Sequence, residues 1–194
     1  EFELYIQNLA LADSGLYQYK ITNPDAPKLT LTSNYIRLNI IDKKGSGVPI
    51  SEYNALVDFH ESLKGSYFNY AEHWLDTIAY EVDDWTGITV TDGHVTKIDF
   101  ISQVFHNLNG SLPASIGDLK YLEEINLQGE KISGELPPGF FELKKLRRVN
   151  LGFNDITGTI SEKISNLSSL EELYLSYNQI EGEIPAAFGQ LSKL

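Results

Sequence analysis

The sequence predicts an α/β solenoid preceded by a short β segment, and three observations carry that prediction. Gly110, Gly134, Gly158 and Gly182 stand 24 residues apart. Each lies in the same apolar frame: Leu108-x-Gly110-x-Leu112-Pro113, Ile132-x-Gly134-x-Leu136-Pro137, Ile156-x-Gly158-x-Ile160 and Ile180-x-Gly182-x-Ile184-Pro185. Before the second, third and fourth frames an apolar run recurs in step with the glycine. A fixed period of this length marks stacked units, none of which can bury its apolar face alone.

In the second unit Leu122, Ile125 and Leu127 precede Ile132. The third holds Leu146, Val149, Leu151, Asn154 and Ile156, and the fourth Leu170, Leu173, Leu175, Asn178 and Ile180. These positions point into a continuous core with one short parallel strand per turn. The Asn amide satisfies backbone groups inside the bend after the strand. Gly permits the tight turn, and Leu/Ile-Pro begins the return on the convex side. Glu130 replaces the Asn in the second unit, so that turn is expected to be less well bonded. Ser161 replaces Pro in the third. The first unit holds about three extra residues between Phe100 and Leu108, expected as a bulge around Val104 to His106. Leucines at these offsets resemble the leucine-rich repeat, specifically its plant-type 24-residue class with a Leu-x-Gly-x-Ile-Pro step. The resemblance covers roughly Ser51 to Leu194.

Ahead of the repeats, Ser51 is the expected N-cap of a helix, with Glu52 suited to its first turn. Leu56, Phe59 and Leu63 fall on one face, and Lys64-Gly65 is the expected stop. Trp74, then Asp83-Asp84-Trp85-Thr86-Gly87-Ile88-Thr89-Val90, then His94-Val95-Thr96-Lys97-Ile98-Asp99-Phe100 follow in order. This order resembles the N-terminal cap of plant-type extracellular leucine-rich repeats: a short amphipathic helix, a Trp-x-Gly-Val/Ile element and an entry strand. That family flanks the tryptophan with two cysteines, where this chain has Asp83 and Val90. The resemblance therefore leans toward the cysteine-free relatives in secreted bacterial surface proteins, some of which carry immunoglobulin-like modules.

The first forty residues are strand-like. Leu16 to Thr22 alternates. Leu29 to Ile40 is rich in Thr, Ile, Leu and Tyr, with Ile36, Leu38 and Ile40 alternating with Arg37 and Asn39. Asn23-Pro24-Asp25-Ala26-Pro27 is the expected turn. Asp13-x-Gly15-x-Tyr17 resembles the tyrosine corner of immunoglobulin-like domains, with Tyr19 in place of the half-cystine. That resemblance implies the last strands, roughly E, F and G. Three strands cannot bury two sheet faces, so this piece is expected to be marginal by itself. Asp42 to Pro49, with its glycines and proline, is the expected linker. The expected organisation is 1–41 immunoglobulin-like, 42–50 linker, 51–94 cap and 95–194 repeats.

Composition narrows the function. A net charge of −12 argues against binding phosphate backbones, which need clustered Lys and Arg. With no cysteine there is no disulfide framework, thiolate metal site or Cys nucleophile. No apolar run approaches the roughly 20 residues that span a bilayer, so no membrane insertion is expected in this segment. The absence of Met and a last repeat stopping at Leu194 lead us to expect a piece of a longer chain.

His60, His73, His94 and His106 form no metal-spaced pair, and Asp83, Asp84 and Asp92 lack EF-hand spacing. No nucleophile elbow, Walker loop or dinucleotide fingerprint is present, and no carboxylate pair marks a glycosidase. Neither an enzyme nor a cofactor is expected. Asn109-Gly110-Ser111 and Asn166-Leu167-Ser168 match glycosylation sequons, the first overlapping the repeat frame.

Side chains alternate along a strand, so the residues between the apolar ones face solvent on the concave sheet. They are Lys97, Asp99 and Ile101; Glu124, Asn126 and Gln128; Arg148, Asn150 and Gly152; Glu172, Tyr174 and Ser176. Tyr and Arg are enriched at binding hot spots, which singles out Tyr174 and Arg148. At about 4.8 Å per strand, four repeats span only about 19 Å, so more repeats are expected in the intact protein. The expectation is a secreted or surface-displayed, non-catalytic module that binds a protein or peptide along this face. Glycan or cell-wall adhesion, inhibition of a wall-degrading enzyme (a role that resemblance to plant relatives implies) and a structural stalk are the alternatives. Aromatic pairs across adjacent strands would favour sugar stacking; the sequence offers Tyr174, with Tyr177 beside it, which does not decide the question.

Overall fold

The computed structural model describes residues 15–17, 20–23, 26–32, 36–38, 47–63, 74, 81–100 and 108–194. They fall in two compact units, Glu1–Gly45 and Ser46–Leu194.

The first unit contains β1 (Gly15–Tyr17), β2 (Lys20–Asn23), β3 (Ala26–Thr32) and β4 (Ile36–Leu38). β1 pairs antiparallel with β4, and β2 with β3. Asn23 is already paired with Ala26, so Pro27 belongs to β3 and not to the turn. A proline at the start of a strand forfeits little, because few ladder bonds have yet begun there. The single run expected over Leu29 to Ile40 is described as two strands.

The second unit opens with α1 (Ile50–Ser62). Its N-cap is Pro49, where Ser51 was expected; Ser51 lies exposed inside the first turn. Pro49 is extended (ψ 146°), and its carbonyl accepts the first helical bond from Tyr53 N–H at 3.0 Å. Proline needs no N–H partner at a helix entry. Val48, inside the expected linker, is buried, and residues from Ser46 on belong to this unit. Leu56, Phe59 and Leu63 are buried as expected, but so is Glu52. Its carboxylate accepts from Val95 N–H at 2.8 Å and lies 2.7 Å from His94 Nδ1, tying helix to strand. The expected stop at Lys64-Gly65 lies outside the described residues; the last helical bond runs from Leu63 N–H to Phe59.

β5 (Ile88–Thr91) pairs antiparallel with β6 (His94–Asp99), which begins a parallel series through β8 (Glu124–Asn126), β10 (Arg148–Asn150) and β12 (Glu172–Tyr174). This five-stranded sheet forms one wall of the solenoid. A second wall is the narrow parallel sheet of β7 (Asn109–Gly110), β9 (Lys131–Gly134) and β11 (Asp155–Ile156). The third is a row of short 3₁₀ turns at Ala114–Asp118, Pro138–Glu142, Glu162–Asn166 and Ala186–Gln190. Pro113, Pro137 and Pro185 stand at the start of three of them. At the start of the third, Ser161 substitutes chemically, its hydroxyl accepting from Lys163 N–H at 3.2 Å. α1 packs on the first 3₁₀ turn. Gly110, at φ 140°, leaves no room for a Cβ against the Ser62 carbonyl, so the chain can pass under the helix end only as glycine.

The core runs between these walls. Leu122, Ile125, Leu127, Ile132, Leu146, Val149, Leu151 and Ile156 are all buried. The 3₁₀ wall adds Ile116, Leu119, Phe140, Leu143, Ile164 and Leu167, a second 24-residue series unnoticed in the sequence. Leu173, Leu175 and Ile180 are half-buried. In the cap, Trp74 and Trp85 pack with ring centroids 4.9 Å apart, and Trp74 donates its indole N–H to Thr86 O at 2.9 Å. The bulge expected around Val104 to His106 lies outside the described residues.

Candidate functional site

The register of β6, β8, β10 and β12 lines the outward-facing residues into rows across the concave sheet. Lys97, Glu124, Arg148 and Glu172 form the first row, alternating in sign. Lys97 Nζ lies 3.4 Å from Glu124 and 3.0 Å from Asp99. Arg148 bridges the next two strands, at 2.6 Å from Glu124 and 3.3 Å from Glu172. Hydrogen bonding to Asp99 leads the causes that raise the Lys97 pKa, against partial desolvation. A parallel pair sits one residue earlier, where Arg147 grips Glu171 with two N–H···O bonds of 3.1 and 3.0 Å. Arg148, singled out as a hot spot, is thus held between two carboxylates in the free protein.

The second row is Asp99, Asn126, Asn150 and Tyr174. Beyond it, Asn150 Nδ2 donates to Gln128 Oε1 at 2.8 Å. Asn126 Oδ1 is buried with no hydrogen-bond partner among the described residues. Eight of the ten polar and aromatic residues expected on this face lie in the strands, while Gln128 and Ser176 lie just beyond β8 and β12; Ile101 lies outside the described residues.

One side chain was missed. Phe153 and Tyr177 are successors across one 24-residue step, both with left-handed backbones (φ 58° and 57°), at the position that Gly129 fills one repeat earlier. Their rings stack at 4.3 Å with planes 13° apart, and both are exposed. With Tyr174 they make an aromatic margin along the C-terminal ends of the strands. Gln128, Asn150, Gly152, Phe153, Tyr174 and Ser176 line a shallow cavity of about 220 Å³ there. The equal spacing of the two rings was visible in the sequence; their left-handed backbone and stacking were not.

Elsewhere the polar groups are engaged structurally. Asp83 Oδ1 accepts from Val90 N–H at 2.8 Å, and Asp84 Oδ2 from Glu81 N–H at 3.1 Å. His94 stacks on Tyr121 at 3.6 Å, and Lys145 covers the Tyr121 ring at 3.9 Å from its centroid. His60 stacks on Trp74, while His73 and His106 lie outside the described residues. Among the described residues no cluster of His, Asp or Glu could hold a metal ion, and no helix is long and apolar enough to cross a membrane.

The turns after the strands complete the geometry. Asn154 Oδ1 accepts from Ile132 N–H at 3.0 Å, and its Nδ2 donates to the carbonyls of Leu127, Leu151 and Gly152. Asn178 repeats the pattern with Ile156 N–H, Leu151 O and Leu175 O. Glu130 keeps only the accepting half, taking Leu108 N–H at 2.8 Å. The expected weaker turn is thus a loss of donors, not of the acceptor.

Strand, Asn-bonded bend and 3₁₀ return, stacked every 24 residues, define a leucine-rich-repeat solenoid. In agreement, the leucine rich repeat model matches residues 120–180 and 144–194. Residues 120–194 thus carry leucine-rich repeats. Solved structures share the fold. The PEPR1–AtPEP1 complex is 26% identical, with a TM-score of 0.64, over 74% of this chain and 20% of that one. The plant peptide hormone receptor RGFR1 with RGF2 is 34% identical, with a TM-score of 0.51, over 57% of this chain and 20% of that one. The Arabidopsis receptor kinase HAESA ectodomain, in complex with an IDA peptide hormone ligand, is 24% identical, with a TM-score of 0.62, over 74% of this chain and 23% of that one. This chain therefore spans about a fifth of the length of these structures. No curated protein matches its sequence.

Proposed function

We propose that the chain is a non-catalytic, extracellular or cell-surface recognition module that binds a protein or peptide along its concave sheet. One observation carries this reading: a continuous sheet face on which polar and aromatic side chains stand in register, row by row, across β6, β8, β10 and β12. Repeat solenoids use such extended faces for binding. The similar structures were solved as a PEPR1–AtPEP1 complex, as a receptor with RGF2 and as a receptor ectodomain with a peptide hormone, which supports a peptide-like partner.

The same proposal extends to organisation. It makes residues 51–94 a cap and 95–194 repeats of the plant-type 24-residue class, following a linker over 42–50. It makes 1–41 the end of an immunoglobulin-like domain. The test is selection of a displayed random peptide library on the immobilised chain. Enriched peptides are expected to lose about tenfold or more in affinity when Arg148→Ala and Glu172→Ala open the charged row. Failure to enrich any sequence, or equal binding to the variants, would sink the reading.

A further inference from the structure

We infer that the cavity at the aromatic margin is a subsite for one ring of a neutral saccharide. It shares the sheet with the recognition face proposed above but uses none of its charged residues, so either reading can fail alone.

The lining sets the chemistry. Gln128, Asn150, Gly152, Phe153, Tyr174 and Ser176 carry no charge, in a chain of net charge −12 and beside a row of ion pairs. The lining itself offers a cation no carboxylate. An anion meets the Glu172 carboxylate, 3.5 Å from the Tyr174 hydroxyl, and the acidic chain beyond it.

Hydrogen-bonding capacity remains unused. Gln128 Oε1 is taken by Asn150, which leaves the Gln128 NH₂ to donate outward. Asn150 Oδ1 has only a 3.3 Å bond from Gly152 N–H, and the Ser176 hydroxyl has no partner among the described residues. Amide and hydroxyl together offer both donors and acceptors, which matches a sugar hydroxyl that does both. A purely apolar side chain in the cavity would bury these groups unpaired, a cost that opposes it.

The ring faces supply the rest. Phe153 and Tyr174 line the cavity, and Phe153 stacks on Tyr177. An exposed ring face covers the C–H face of a pyranose as it would any apolar surface. At about 220 Å³ the cavity falls below the roughly 300–1,000 Å³ of drug-sized pockets, so it takes one ring of a longer chain. A bulky residue at φ 58° is strained where glycine is not, and such strain concentrates at binding sites.

The experiment titrates the full chain, by calorimetry and saturation-transfer NMR, with neutral gluco-, galacto-, manno- and N-acetylglucosamine oligosaccharides, and with polygalacturonate as the charged control. We expect saturable binding of at least one neutral oligosaccharide and none of polygalacturonate. Binding should weaken about tenfold or more in Tyr174→Ala and in Phe153→Gly, and stay unchanged in Lys163→Ala on the convex side. Phe153→Gly removes the ring while relieving the backbone, so it stays folded if Tyr174→Ala does not. Absence of any sugar binding, binding indifferent to both substitutions, or equal binding of polygalacturonate overturns the inference. So does a library peptide whose binding alone is lost with Phe153→Gly, which would reassign the cavity to peptide.

Discussion

Glu130 and Asn154 occupy the same place in successive repeats, and their turns are built differently. Each accepts a backbone N–H from 22 residues earlier, Leu108 for one and Ile132 for the other. Asn154 then returns three bonds through its amide nitrogen, whereas Glu130 has none to give. The acceptor is what both turns require; the donors are what an amide adds. Burial also separates them. It raises the Glu130 pKa, against the opposing effect of the Leu108 N–H, whereas Asn154 has no charge to lose.

That comparison can be broken most forcefully at Asn154. Asn154→Ala strands one buried N–H and the carbonyls it served, and should cost about 2–4 kcal/mol in urea unfolding. A loss no larger than that of an exposed substitution would show that water replaces the amide freely. Asn154→Asp keeps the acceptor and should fall between the two, reproducing the Glu130 turn. In the other direction, Glu130→Asn should stabilise by about 1 kcal/mol at neutral pH by restoring donors. Because the folded pKa of Glu130 lies above its unfolded value of 4.5, the folded state binds the extra proton in the interval between them. The stability linked to that proton is complete below about pH 4.5 and is lost as pH rises through the folded pKa. The advantage of Glu130→Asn should therefore grow from acid to neutral pH, and parallel pH curves would contradict the assignment.

Smaller effects sharpen the comparison at the cap. Asp83→Ala should cost about 1 kcal/mol by freeing Val90 N–H, whereas Asp83→Asn keeps an acceptor and should cost less. Thermal melts of the two variants check the order. The weakest response belongs to the exposed Arg147–Glu171 pair. Hydrogen bonding to Arg147 leads the causes that lower the Glu171 pKa, so its contribution is present above the ordinary carboxylate value and fades as pH falls. Salt should erase what little Arg147→Ala changes.

The solenoid was legible because its grammar is local. The apolar offsets from Leu122 to Ile132 fix which side chains enter the core, and period-two alternation then fixes which leave it. Of the concave residues named from spacing, Lys97, Asp99, Glu124, Asn126, Arg148, Asn150, Glu172 and Tyr174 lie in the strands, whereas Gln128, Gly152 and Ser176 fall just past them. Less legible were features that depend on three-dimensional neighbours. Pro49, not Ser51, caps the helix, and Val48 before it is buried. Glu52 looked like a first-turn acid, yet it is buried because the β6 backbone needs an acceptor 43 residues away. Phe153 was overlooked because sequence spacing does not announce a left-handed backbone. At the cap, the positions that the family resemblance assigns to cysteines, Asp83 and Val90, are joined by a hydrogen bond, a substitution of chemistry that spacing alone does not disclose.

The alternating row of Lys97, Glu124, Arg148 and Glu172 also constrains how such a chain can change length. Excising the unit that carries Glu124 would set Lys97 beside Arg148, and excising the one with Arg148 would set Glu124 beside Glu172. Like charges on neighbouring strands repel, so either event carries an electrostatic penalty that core packing does not register. Losing both units together brings Lys97 beside Glu172 and restores attraction. Along this edge the repeat array carries a parity, in which units come and go more easily in pairs than singly.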